Sequence, residues 1–200
     1  MQQLGPAGFF FEKFVARLYL AQGYQARNNL TLNGKCVSHE VDVVLEKDGR
    51  IILVECKFHA RRESTSDVKV PMYILSRFND LKVVPNSIFK DGQYFDDCII
   101  VTNNRFTADA LAFASCSGLQ TLSWDTPDKN SLRQLIDHTG LYPVTCLTTL
   151  SGAEKDQLMI LDIIMAQEIP ARVSDLLAIG LSQNRIKNVL KEVSELCYLL

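Results

Sequence analysis

The stretch HEVDVVLEKDGRIILVECK, residues 39–57, constrains this chain more than any other. Asp48-Gly49 between two runs of alternating apolar residues is among the strongest short-range signals for a β-hairpin. With Asp48 and Gly49 as the two turn residues, Lys47 pairs with Arg50, Asp42 falls opposite Glu55, and Glu40 falls opposite Lys57. The two-residue period of a strand then puts Glu40, Asp42, Glu55 and Lys57 on one face, and Val41, Val43, Val54 and Cys56 on the other. A three-residue loop with a bulge would shift the pairing by one and turn one strand over. The i, i+2 relation of Glu55 to Lys57 survives either register.

Charges so placed need a reason. Directly opposed residues have Cα atoms about 4.5–5.5 Å apart, and like charges there destabilise a sheet. Two close carboxylates either raise one pKa or recruit a cation. A hard divalent ion answers this, since Mg²⁺ takes oxygen ligands from one or two carboxylates and keeps waters. Lys57 would stand beside that ion, where an ammonium group suits charge building up on a phosphate. The plainer alternative is a solvated edge hairpin, with Glu40 and Lys57 a cross-strand ion pair worth a few tenths of a kcal/mol. IILVECKF is apolar on both sides of Glu55, which suits a central strand better than an edge.

Around the hairpin, GFFFEKFVARLYLAQ (8–22) carries Phe11, Phe14, Val15 and Leu18 at helical spacing, with Gly23 as a stop. Residues 24–32 read as a short strand and 59–69 as a polar loop. Pro71 suits the first turn of a helix to about Leu81. CIIVT (98–102), a helix over 107–117 and a strand over 119–124 suggest a parallel crossover. After Trp124 the pattern is helical. Residues 132–138 form a short helix. Ser151 with Glu154 is a capping box opening a helix to about Gln167, Pro170 starts another, and Ser182 caps a third through Leu196. The expected organisation is a core over 1–125, a linker with a short helix over 126–150, and an all-helical, helix-turn-helix-like module over 151–200.

An acidic residue on one strand followed by ExK on the next, here Asp42 and Glu55-Cys56-Lys57, resembles the signature of the PD-(D/E)xK nuclease superfamily. Gly8, Phe11-Glu12 and Gly23-Tyr24 in the preceding helix, and VTNNRFTADA (101–110), are similar to Mrr-like restriction endonuclease domains. The likeness covers roughly residues 5–125. It implies a restriction-endonuclease-like αβββαβ core with a mixed central sheet, the small all-helical region being an addition. It further implies Mg²⁺-dependent cleavage of DNA phosphodiesters, with Mn²⁺ able to substitute. Carried over, Asp42, Glu55 and the Cys56 carbonyl would ligate the metal. Lys57 would orient water or stabilise the phosphorane, and Glu12 would complete the metal environment. Many Mrr-like proteins carry Gln where Glu55 stands; this chain has the acidic form.

Other features leave alternatives open. Glu12 could be only a boundary glutamate on an apolar stripe. His59, Arg61, Arg62 and Lys69 follow ExK, with Arg77 and Lys82 on the next helix, and would suit phosphates or belong to a solvated loop. Arg185 and Lys187, on the last helix, suit either a major groove or a packing surface. A net charge of −2 gives no global support for nucleic-acid binding. Six scattered cysteines without a CxxC pair argue against structural zinc and fit a reducing cytoplasm. No apolar run approaches the ~18–20 residues of a membrane span, and no charged n-region precedes GFFF. The expected protein is a cytoplasmic DNA endonuclease of restriction or repair type, in which cutting both strands would call for a homodimer. A catalytically inactive nuclease-fold module, binding DNA or regulating, is the alternative, and a charged protein-docking face is a third.

Overall fold

The hairpin turn closes with two residues. Asp48 (φ 54°) and Gly49 (φ 81°) both lie in the left-handed region, as a type I′ turn requires, and Lys47 pairs with Arg50. The computed structural model describes residues 8–61 and 63–198. Arg62 lies outside them.

Chain order is α1 (Phe9–Leu20), β1 (Gln25–Asn33), β2 (Ser38–Lys47), β3 (Arg50–Lys57), β4 (Thr65–Ser66), α2 (Lys69–Leu81), β5 (Asp97–Thr102), β6 (Arg105–Phe106), α3 (Ala108–Cys116) and β7 (Gln120–Leu122). Helices α4 (Leu132–Thr139), α5 (Gly152–Ile160), α6 (Val173–Ala178) and α7 (Gln183–Tyr198) follow. The main sheet runs β1-β2-β3-β5-β7, antiparallel through β3 and parallel beyond it. This is the expected αβββαβ core, with a mixed sheet and added C-terminal helices. Strands β4 and β6 form a small parallel pair, β4 inside the segment that read as a loop and β6 between β5 and α3.

Helices cover both faces of the sheet, which explains why β3 and β5 are continuous apolar runs. On one face Phe11, Phe14 and Leu18 of α1 meet Val43, Leu45, Val54 and Val101, and the same core continues into Leu132, Leu158, Ile169, Val189 and Val193. On the other, Ile74 and Phe78 of α2 and Ala110 of α3 meet Val44, Ile51, Leu53 and Ile100. Val41 joins this second cluster while Val43 joins the first. Strict alternation had put both on one face. The break falls at Asp42: the β1–β2 ladder pairs Asn28 with Val43 and Leu30 with Val41 but skips Asn29 and Asp42. Asn29 there takes φ 53°.

The C-terminal region departs from its expected helices. Both partners of the Ser151–Glu154 capping box are in place, but α5 stops at Ile160, not near Gln167. Ile163, Ile164, Met165 and Ala166 are consecutive and all buried, which one helix face cannot achieve. The chain reverses at Asp162 (φ 62°), and Glu168 accepts from the amides of Ile164 and Met165 at 2.7 and 2.9 Å. Pro170 lies inside a 3-10 segment, Ala166–Arg172. This region also grips α1: Asp162 binds Lys13 at 2.6 Å and Arg17 at 2.8 Å, and Glu168 binds Arg17 at 2.7 Å. Among the described residues no helix is long and apolar enough to cross a membrane.

Glu192 on α7 anchors the loop before α5. Its carboxylate accepts from Thr148 N and Oγ1 at 2.6 and 2.7 Å and from Thr149 N at 2.9 Å, and it also takes the Thr149 hydroxyl. These bonds outweigh partial burial and hold its pKa down at about 2. A depressed carboxylate contributes stability that is complete above its ordinary pKa and is lost as pH falls through the folded value. Melting temperature should therefore decline from about pH 4.5 towards pH 2. Glu192→Gln should flatten part of that decline and cost about 1–2 kcal/mol at pH 7, a drop of roughly 2–8 °C. Calorimetric melts of both proteins across this range check it.

Candidate active site

Glu55 is the polar anomaly of the sheet. It lies on the central strand β3 and is 0% exposed. Its Oε2 accepts from Nη1 of Arg77 on α2 at 2.7 Å, and Nη2 of Arg77 reaches the Glu40 carbonyl. Glu55 Oε1 and Arg77 Nε are buried and have no hydrogen-bond partner. Burial, and then the charge of Asp42, push the Glu55 pKa up to about 7, against the opposing pull of Arg77 and Lys57.

Asp42 reaches this place by the opening of the hairpin. The β2–β3 ladder runs from Lys47–Arg50 to Val43–Val54 and ends there. The expected cross-strand pairs Asp42–Glu55 and Glu40–Lys57 are therefore not rungs of the ladder. Asp42 Oδ2 instead accepts from the Cys56 amide at 2.6 Å, taking a donor that a continued ladder would have used. Burial raises the Asp42 pKa, while that backbone bond and the charges of Lys57 and Arg77 lower it. The two acids still share one cleft. Its volume is about 420 Å³, and Glu12, Asp42, Glu55, Lys57, Tyr73 and Arg77 are among its lining residues.

Glu12 enters from α1, its backbone carbonyl held by Asn28 Nδ2 at 3.3 Å. Burial, and then Asp42, push its pKa up to about 7, with Lys57 opposing. Lys57 ends β3. The strand exit behind it is braced by the segment after β5. Thr102 Oγ1 donates to the Lys57 carbonyl at 2.7 Å. Asn103 accepts from the His59 amide at 2.7 Å and donates to its carbonyl at 2.8 Å, and Asn104 donates to the Arg61 carbonyl at 2.9 Å. Two amide side chains just past a buried strand were the available signal for this brace.

An oxygen-seeking cation would find two donors here. One is the partnerless Oε1 of Glu55, and the other is the Asp42 oxygen not used by the Cys56 amide. Among the described residues no three His, Cys, Asp or Glu side chains gather as a ligand set. Two carboxylates with waters nonetheless suit Mg²⁺, so the residues fit an ion held by Asp42 and Glu55 in a cleft that Cys56 also lines.

The remaining sequence candidates are dispersed. His59 is half-buried; its ring meets Ser66 Oγ at 3.0 Å, and burial followed by the charge of Lys57 lowers its pKa. Arg61 and Lys69 are exposed on the loop and the first turn of α2. Lys187 is exposed on α7, whereas Arg185 is engaged by Glu154 at 2.9 Å and by the Thr149 carbonyl at 2.9 Å. His39 faces Asp80 at 2.8 Å. Arg77, which read only as one more basic residue, is the closest cationic partner of Glu55.

A family model described as restriction endonuclease, Mrr_cat, matches residues 6–126. The chain belongs to the Mrr restriction endonuclease family. Its domain is of a nuclease type, and all four residues singled out, Glu12, Asp42, Glu55 and Lys57, lie inside the Mrr match. Residues 142–197 match a second model, AF1548-like, C-terminal. An uncharacterized protein of Archaeoglobus fulgidus is 32% identical over 182 residues, covering 90% of this chain and 98% of its own. The crystal structure of a protein of unknown function, AF1548, superposes with a TM-score of 0.76 at 30% identity, over 94% of this chain and 96% of that one.

The raised pKa of Glu12 has a thermodynamic consequence. An acid whose folded pKa lies above its ordinary value costs stability at any pH where the unfolded chain's acid would already be ionised. The cost is absent below about pH 4.5, grows up to about pH 7, and is complete above. Without divalent ion, Glu12→Gln should match wild type in melting temperature at pH 4.5 and exceed it at pH 8. Equal melts at pH 8 would contradict this electrostatic account.

Proposed function

We propose that this protein is a Mg²⁺-dependent DNA nuclease acting as an endonuclease of restriction or repair type. Asp42 and Glu55, with the Cys56 carbonyl, are the proposed ligands. The observation that carries the reading is a carboxylate buried in the central strand with one oxygen uncommitted, in the same cleft as Asp42 and Lys57. Family membership supports DNA phosphodiesters as the substrate class.

When bound, the ion would offset charge on the scissile phosphate and acidify a water. Lys57 places an ammonium group in the cleft, where it orients the attacking water or stabilises the extra negative charge on phosphorus. Glu12, which lines the same cleft, would complete the environment of the ion. His59, Arg61 and Lys69 would meet phosphates flanking the cleft, with Arg62 a further candidate from the sequence. The C-terminal helices would act first as a buttress for α1, with Lys187 free to meet DNA. Six unpaired cysteines accord with a reducing cytoplasm.

One observation favours the inactive-module alternative: Glu55 already has a cationic partner in Arg77. Nicking of supercoiled plasmid with Mg²⁺ or Mn²⁺ separates the two. Wild type should nick and chelator should stop it. Asp42→Ala and Lys57→Ala should each reduce the rate by at least a hundredfold, the lower end of what such groups contribute. Wild type that binds DNA but cuts no DNA form with either ion supports the regulatory module instead.

A further inference from the structure

The contact between Arg77 and Glu55 plays no part in the hydrolysis just described, yet it is the most buried ion pair of the described residues. The two side chains are 11% and 1% exposed. A pair this deep repays its desolvation only if its remaining donors and acceptors are also satisfied. Here they are not, since Arg77 Nε and Glu55 Oε1 both lack partners. The pair neutralises charge but leaves a polar atom unfilled on each side.

Arg77 is also held by groups other than Glu55. Nη2 donates to the Glu40 carbonyl, on β2 just past the point where the hairpin ladder opens. Its guanidinium lies 5.5 Å from the centroid of the Tyr73 ring, one turn back on α2 and 57% exposed at the cleft. The guanidinium is therefore fixed in the cleft by α2 and by β2. A divalent ion arriving at Glu55 meets a like charge already there.

We infer that Arg77 is an internal counter-ion of the metal site, a positioning residue that holds Glu55 in place in the metal-free protein and weakens divalent-ion binding by competing for its carboxylate. The inference rests on the nuclease reading, because it takes Asp42 and Glu55 as the ion's ligands. It gives the central-strand carboxylate a counter-charge that the protein itself supplies. It also accounts for a fork-shaped cation at this position, since two rigid donor arms reach two different acceptors, where a lysine would offer a single compact charge.

Calorimetric titration of the full chain with Mn²⁺, together with thermal melts with and without Mn²⁺, tests it. Arg77→Gln should bind Mn²⁺ about tenfold more tightly than wild type, the equivalent of ~1.4 kcal/mol. It should melt lower than wild type without the ion and gain more from its addition. Arg77→Lys, which keeps the charge but not the fork, should fall between the two in affinity. Glu55→Gln should abolish the difference that Arg77→Gln makes. Arg77→Gln binding Mn²⁺ no more tightly than wild type overturns the inference. If that variant does not fold even with Mn²⁺, Arg77→Lys decides, and affinity at or below wild type overturns it. Wild type that binds Mn²⁺ and cuts DNA in such a case leaves the nuclease reading standing. Wild type that neither binds Mn²⁺ nor cuts removes both.

Discussion

Burying the carboxylate of Glu55 in the central strand is the constraint around which this protein is arranged. Strand β3 has β2 on one side and β5 on the other, and helices pack on both faces of the sheet. A charge there is tolerable only where something opposes it. Arg77 does so directly at 2.7 Å, and Lys57 adds a second positive charge to the cleft. The sheet opens at this point and nowhere earlier along the hairpin, because Asp42 takes the Cys56 amide in place of a ladder bond. Local chemistry at one residue thus decides where the ladder ends and the cleft begins.

The cleft draws on both helical layers. Glu12 comes from α1 on one face, and Tyr73 and Arg77 come from α2 on the other. Their relative placement depends on the sheet between them and on what fixes each helix. Asp162 and Glu168 hold α1 through Lys13 and Arg17. Asp80, on α2, accepts from the Cys36 and Val37 amides and faces His39, tying α2 to the β1–β2 turn. The turn is fitted to this contact: a Cβ at Gly34 would lie 2.1 Å from Asp80 Oδ2. The C-terminal helices take part in the same apolar core as α1, so the cleft is supported from well beyond its own residues.

Much of this was legible in the chain because the signals were local. Asp48-Gly49 specified its turn through the φ > 0 demand of a type I′ loop, and the run around Glu55 read as a central strand because both of its faces are apolar. The capping box at Ser151 formed with its Glu154 partner. What failed had non-local causes. Alternation along β2 breaks at Asp42, opposite a left-handed Asn29 that belongs to another strand. Helix α5 ends early because four consecutive apolar residues find burial on more than one side. Strands β4 and β6 are two residues each and exist only because the segments after β3 and β5 run alongside one another.

By itself, then, the sequence determined the cast and the chain order: a carboxylate on each hairpin strand, a lysine two residues beyond the second, a glutamate on the helix before them, and a turn that sets their register. These follow from dihedral preference and two-residue periodicity, which act within a few residues. Only the tertiary structure decided how far the ladder runs, which oxygens remain uncommitted, and that Arg77, 22 residues along from Glu55, becomes its partner. Those outcomes depend on which helix lies over which strand. No pattern within a short window carries that information, because side chains distant in sequence compete for the same few donors and acceptors only after the layers have packed.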